Sequence, residues 1–354
     1  MFDIDFYMKV HNINTKLQNN ESLDKEFVFE QLEAYRNKEP IVFNIETTNA
    51  CNMRCKMCPR TTRMTRTIDN LDYEMFKKIV NQLKPHSPEL WEKWKKFVYK
   101  VYNIPETDMS ENNFFLYIIP KVIQLHGYGD PLLDTKMHKS VELLTERGFE
   151  SYFSCNPANI DINLTESMFK AGLNYIKYSI ESVDDEIFKS IRGKAANFTQ
   201  SFEKIKRLIE LKEQNGYQTV IIITMLDLNN KNQQEEYQLL KEKFADFDVY
   251  IFLKSEDQQW YRKDYHGTKA IHWSEFCKHP WMSMTIKSNC EVAMCMEDYD
   301  NEIILGDARK YSLYEIWNGS KYQKFRKDHF SLTSIIKCTE ECDMKLIGSY
   351  FKKN

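Results

Sequence analysis

An α/β fold built on a parallel sheet is what this sequence predicts, and three observations predict it. Six short β-rich runs recur between Pro40 and Ser255: IVFNIE (41–46), KVIQLH (121–126), ESYFSC (150–155), YIKYSIE (175–181), TVIIITML (219–226) and DVYIFL (248–253). Segments with apolar residues at helical spacing separate them, and six βα units in a row require parallel strands covered by helices. After Ser255 that rhythm stops and a cysteine-containing tail begins. An open doubly wound sheet and a partial TIM-type barrel both satisfy the pattern, and periodicity does not choose between them.

The elements follow in order. Residues 1–40 read as an N-terminal extension with one helix, and the start, MFDIDFYMKV, carries Asp3 and Asp5 where a signal peptide needs a positive end and an apolar run. Phe76, Ile79, Val80 and Leu83 mark the first helix of the repeat. Residues 86–113 then lengthen the connection to the second strand well beyond the usual few residues, as an inserted helix bounded by Pro88 and Pro105. Met137, Val141 and Leu144 mark the next helix, with Gly148 as its C-cap. The division that results is an extension (1–40), a main domain (41–255), a linker (256–276) and a small C-terminal domain (277–354).

At 354 residues the chain has ample length to bury a core in each domain. Its 49 Lys+Arg nearly cancel 52 Asp+Glu, so no global field gathers nucleic acid or an anionic membrane. The longest apolar runs, such as Val220 to Leu226, fall far short of the ~20 residues of a spanning helix. A cytoplasmic protein with no nucleic-acid and no membrane partner is expected. Nine cysteines in that setting point to metal or redox chemistry: three lie at 51–58, five at 277–342, and Cys155 stands alone.

Cys51, Cys55 and Cys58 put three thiols in one loop. Structural zinc is normally closed by four protein ligands, so this loop alone is one short. A [4Fe-4S] cubane held by three thiolates keeps one iron without a protein ligand, free to bind something else.

The string CNMRCKMC, after the first strand, resembles the CxxxCxxC hallmark of the radical S-adenosylmethionine (SAM) superfamily, with Met57 where that family has a bulky apolar residue. The resemblance implies a partial (β/α)6 TIM-type barrel, SAM bound through its amino and carboxylate groups to the open iron, and reductive cleavage to a 5′-deoxyadenosyl radical that takes hydrogen from substrate. HGYGDPLLD (126–134) resembles the motif that holds the SAM amino group, which implicates Gly127, Tyr128, Gly129 and Asp130, the glycines allowing close approach of backbone to ligand. Ser154 and Asn156, at the end of the third strand, resemble the family's TNG-type turn, which implies that they contact SAM at the same rim. Ser179 and Glu181 resemble the ribose motif, Arg192 belongs to its usual continuation, and the alternative is that Glu181 caps the next helix. Asp227 to Asn230 are placed near the adenine. Cys155 is either a hydrogen-atom donor or a small buried residue.

The tail, from FCKHPWMSMTIKSNCEVAMC through LGD and LYEIWNGSKYQKFRK to KCTEEC, resembles the SPASM/Twitch extension of one branch of that superfamily. The resemblance implies a small α+β domain with a strand over Trp281 to Ile286. It also implies an auxiliary [4Fe-4S] cluster closed by Cys277, Cys295, Cys338 and Cys342. Cys290 is set aside because it occupies the place of a hairpin glycine, and a zinc ribbon on the same four residues is the alternative.

The expected function is that of an oxidoreductase that takes hydrogen from a carbohydrate or other small molecule and passes a second electron to the auxiliary cluster, with flavodoxin or ferredoxin as reductant. The alternatives are a peptide maturase that cross-links, epimerises or dehydrogenates a ribosomal peptide, and a non-catalytic zinc scaffold. The sequence identifies neither the substrate nor the proton-accepting residue.

Overall fold

The computed structural model describes residues 1–228, 232–254, 275–333, 338, 342 and 346–351; the expected linker lies outside them except for Glu275 and Phe276. Among the described residues nine strands form one sheet: β1 (Val42–Ile45), β2 (Val122–Gln124), β3 (Glu150–Cys155), β4 (Tyr175–Ser179), β5 (Val220–Leu226), β6 (Tyr250–Lys254), β7 (Met284–Ile286), β8 (Glu291–Ala293) and β9 (Ile304–Asp307). Their order is β6-β5-β4-β3-β2-β1-β7-β8-β9, and the first six pair parallel in sequence order, as six successive βα units require. The sheet curls into a partial barrel and does not close, since β6 and β9 are its two edges.

Along each strand alternate residues face the barrel interior, and that interior changes character from one end to the other. Near the strand starts it is apolar: Val122, Tyr152, Ile222 and Phe252 pack with Phe114, Leu116 and Trp94. Phe114 and Leu116 come from a π-helical turn, Phe114–Ile118, that follows the inserted helix Pro88–Tyr102. Pro88 sits in the first turn of that helix and Ser87 caps it by accepting from Leu90 N–H; Asn103, at φ 55°, ends it. The insertion therefore plugs the barrel floor through Trp94, whose indole N–H donates to the Leu116 carbonyl at 2.6 Å. Full burial of a side chain such as Ile222 contributes about 1.5–3 kcal/mol. Towards the strand ends the same face turns polar, with Lys177, Ser179, Thr224 and Lys254 lining open space.

Two expectations change. The extension holds two helices, Ile4–Gln18 and Lys25–Tyr35, capped by Asp3 and Asp24. Both bury an apolar face, through Phe6, Val10, Val28 and Leu32, against Phe276, Trp281 and Phe330 of the tail. The strand expected over Trp281 to Ile286 is shorter, because Pro280 starts a helical turn, His279–Met282, before β7. β7 pairs parallel with β1 and antiparallel with β8, so the tail extends the barrel sheet. No helix among the described residues is long and apolar enough to cross a membrane.

Candidate active site

Beyond β1 the chain enters the three-cysteine loop, and its backbone is fixed from both sides. Arg54 N–H donates to the Arg192 carbonyl at 3.0 Å and Lys56 N–H to the Ile191 carbonyl at 2.9 Å. Asn49 donates its side-chain N–H to the Thr67 carbonyl at 2.8 Å. Cys55 is buried, and Cys51 and Cys58 are half-buried. Burial pushes the Cys51 and Cys58 thiols up to about 11, the neighbouring Cys55 adding to the effect at Cys58. A bound metal cation would reverse that preference for the neutral thiol.

Arg192 reaches this loop from the C-terminal end of helix Asp185–Arg192. It forms a two-pronged ion pair with Glu181 and directs Nη1 to Cys55 Sγ at 3.6 Å. The cap of that helix is Asp184, which accepts from Glu186 and Ile187 N–H, so Glu181 is not the cap. Asp130 is 3% exposed and accepts from Leu132 N–H, Asn156 N–H and the Asn159 amide, the last at 2.7 Å. Burial raises its carboxyl group, and those donors oppose the rise. Its role in this frame is to lock the second strand's loop to the third's. The Asn156 amide nitrogen is buried without a partner, an orphan donor beside open space.

The glycines also have a packing role. A Cβ on Gly127 would collide with the Glu46 carboxylate, and one on Gly129 with the Thr48 carbonyl. They allow the loop to pass against the end of β1, where Glu46 is fully buried. Glu46 pairs with Arg66 at 2.9 Å and accepts from Tyr128 N–H at 3.0 Å and from the Ser288 hydroxyl at 3.0 Å. Desolvation favours its neutral form, but Lys287 and Arg66 outweigh it and hold the carboxyl group below the usual range. One residue thus joins the first strand, the glycine loop and the tail. Its sequence signal was an acid at the end of a buried strand, in NIETT.

All nine residues expected to contact SAM and all three loop cysteines line one cavity of about 280 Å³. Asp227 does not line it, and Asn229 and Asn230 lie outside the described residues. Cys277, Cys295, Cys338 and Cys342 line a second cavity of about 250 Å³, walled by aromatic residues, and Cys290 does not. Cys290 sits instead at φ +68° in the β7–β8 turn, the backbone region that favours glycine. Burial pushes Cys277 up to about 11 and Cys295 further. The two cavities share His126, Lys177, Lys254, Met296 and Glu297. His126 went unnoticed beside the glycines that follow it. Its Nδ1 accepts from Ser154 N–H at 3.3 Å, which leaves Nε2 as the protonated nitrogen of the neutral ring; burial and the two lysines lower its pKa to about 3. Cys155 lines the first cavity, buried, with Sγ 3.7 Å from the Lys177 carbonyl.

Three thiols beside a polar cavity with an orphan amide donor suit a cluster with one open iron and a ligand on it; four thiols in an apolar one suit a closed cluster. Among the described residues no three His, Cys, Asp or Glu side chains form a group that could hold a single metal ion.

The chain matches the family model of the radical SAM superfamily over residues 118–240 and that of the SPASM iron-sulfur cluster-binding domain over 277–343. The first match begins after the three-cysteine loop. No curated protein sequence matches the chain. Solved structures of similar fold include Streptococcus suis SuiB bound to S-adenosylmethionine, at 14% identity and TM-score 0.55, over 92% of this chain and 78% of that one. Another is hexahistidine-tagged anSMEcpe with bound AdoMet, at 14% identity and TM-score 0.53, over 88% and 91%. At that identity the likeness establishes the fold alone.

Proposed function

The chain belongs to the radical SAM superfamily and carries a C-terminal SPASM domain, and from that premise we propose that it is an oxidoreductase of a carbohydrate or other small molecule. The observation that carries the proposal is the pair of contiguous cavities, one lined by three cysteines and the other by four. When bound, SAM and two [4Fe-4S] clusters supply the radical and one-electron chemistry.

The chain's own part is placement. Cys51, Cys55 and Cys58 would hold the reactive cluster, and Cys277, Cys295, Cys338 and Cys342 the auxiliary one. Arg192 fixes the Glu181 carboxylate at the rim where Ser179 also lies, and Asn156 offers its unpartnered N–H to SAM. Substrate would sit where the cavities meet, between His126, Lys177 and Lys254, with the aromatic floor excluding water. Both helices of the N-terminal extension pack against the tail. The electron donor would be a flavodoxin or ferredoxin, and the setting cytoplasmic.

Anaerobic reconstitution tests this reading. About eight irons per chain, in two four-iron clusters, and 5′-deoxyadenosine formed from SAM with dithionite are expected. A colourless, zinc-loaded protein that never cleaves SAM would leave the zinc scaffold. Turnover of peptides but not of sugars would replace the small-molecule substrate with a peptide.

A further inference from the structure

We infer that His329 donates a hydrogen bond to the sulfurs of the auxiliary cluster and raises its reduction potential, a role that rests on the SPASM domain's cluster occupying the four-cysteine cavity. His329 stands in the last turn of helix Ser320–Ser331 and is 1% exposed. It lines that cavity together with Cys277, Cys295, Cys338 and Cys342. Trp281 and Phe325 flank its ring, with centroids 5.8 and 5.9 Å away. The ring lies beside the Cys277 backbone, yet neither of its nitrogens has a hydrogen-bond partner of normal geometry among the described residues. A second orphan, Nε2 of His279, lines the same cavity, while Nδ1 of that ring is 3.2 Å from the Ser283 hydroxyl.

A buried donor without an acceptor costs stability, so two such rings on one cavity wall need a cause. Imidazole carries at least one N–H whether neutral or protonated, and His329 therefore always presents a donor. A thiolate-held cluster brings acceptor sulfurs into the cavity, which removes the penalty. The ring is held for that contact, because its helix is anchored on both sides. Arg326, three residues earlier, donates Nε to Glu33 of the extension at 2.7 Å, and Phe330 packs on Phe29 with centroids 5.2 Å apart. Reduction adds one negative charge to a cluster, so a fixed N–H dipole at its sulfurs stabilises the reduced form more than the oxidised one. The consequence is an auxiliary cluster that accepts an electron more readily.

The test uses the full chain, reconstituted anaerobically, as wild type and as Cys51→Ala/Cys55→Ala/Cys58→Ala, in which only the auxiliary cluster is read. Two variants are added to that background: His329→Leu removes the donor and His329→Gln keeps one. Redox titration followed by electron paramagnetic resonance gives the midpoint potential. Pulsed resonance on protein labelled with nitrogen-15 histidine detects ring nitrogen coupled to the reduced cluster. His329→Leu should shift the one-electron reduction equilibrium about tenfold towards the oxidised form, about 59 mV, with about four irons per chain retained. His329→Gln should keep the background potential while its histidine coupling weakens. That coupling is read on the unsubstituted ring, so it decides the matter even where His329→Leu does not fold. An unmoved potential in His329→Leu with iron retained, no histidine coupling in the background protein, or loss of iron in His329→Gln each overturns the donor role. About four irons in the wild type and none in the triple alanine variant overturns instead the auxiliary cluster on which that role rests.

Discussion

The two cysteine groups are built in opposite ways. The first places three thiols within eight residues, on a loop whose shape is set by its own hydrogen bonds and by the carbonyls of residues 191 and 192. The second gathers four thiols from a 66-residue span, 277 to 342. Its first member, Cys277, lies between Glu275 and Lys278, and Glu275 accepts from Tyr7 of the extension, Tyr102 of the insertion and Lys278. The first site is locally encoded and opens on a polar cavity; the second depends on tertiary packing and faces aromatic walls. Local encoding suits a site that must leave a coordination position open, and dispersed encoding suits one that is closed on all sides.

The sharpest way to break that comparison is to remove one thiol from each group. Cys55→Ala should take deoxyadenosine formation to background, measured by chromatography after reduction with dithionite. Cys295→Ala should spare uncoupled SAM cleavage, stop substrate turnover, and lower iron from about eight to about four per chain. If the Cys295 variant keeps full turnover, the auxiliary group has no part in the reaction and the contrast is structural only.

A smaller effect probes what joins the regions. Glu46 is a fully buried carboxylate bridging β1, the glycine loop and Ser288 of the tail. Glu46→Gln should cost roughly 3–5 kcal/mol, because it strands the buried Arg66 and Lys287 charges. The sign of the pH dependence follows from its depressed pKa. The stability it contributes is present above the usual carboxylate range near 4.3 and is lost as pH falls through its lower folded value. Denaturant melts against pH should show that acid limb in the wild type and a shallower one in the variant.

What the sequence revealed tracks the same division. The six barrel runs could be read to within two residues at each end because buried parallel strands are continuous apolar runs, and the twelve residues that the resemblance implied line one cavity. Where a run overran, as in YIKYSIE, the strand stops short: β4 ends at Ser179, and Ser179 and Glu181 line the cavity. The π-turn at Phe114–Ile118 and the junction of β7 with β1 were hidden, because short elements and non-local pairings leave no period to detect, whereas the second helix, Lys25–Tyr35, shows one in Val28 and Leu32 that went unread. Glu46 and His126 were overlooked since their roles are visible only once the strand ends converge.

Cys290 is where the comparison is tested most finely, because the tail counts four ligands only if this fifth cysteine is a turn residue. Its φ of +68° costs a non-glycine residue about 1–2 kcal/mol, and its side chain is 5% exposed, so truncation forfeits about 1 kcal/mol of burial. Cys290→Gly should therefore change stability by less than about 1 kcal/mol, as the two effects offset, and should leave iron content and turnover as in the wild type. A fall in iron to the level of the Cys295 variant would make Cys290 a ligand.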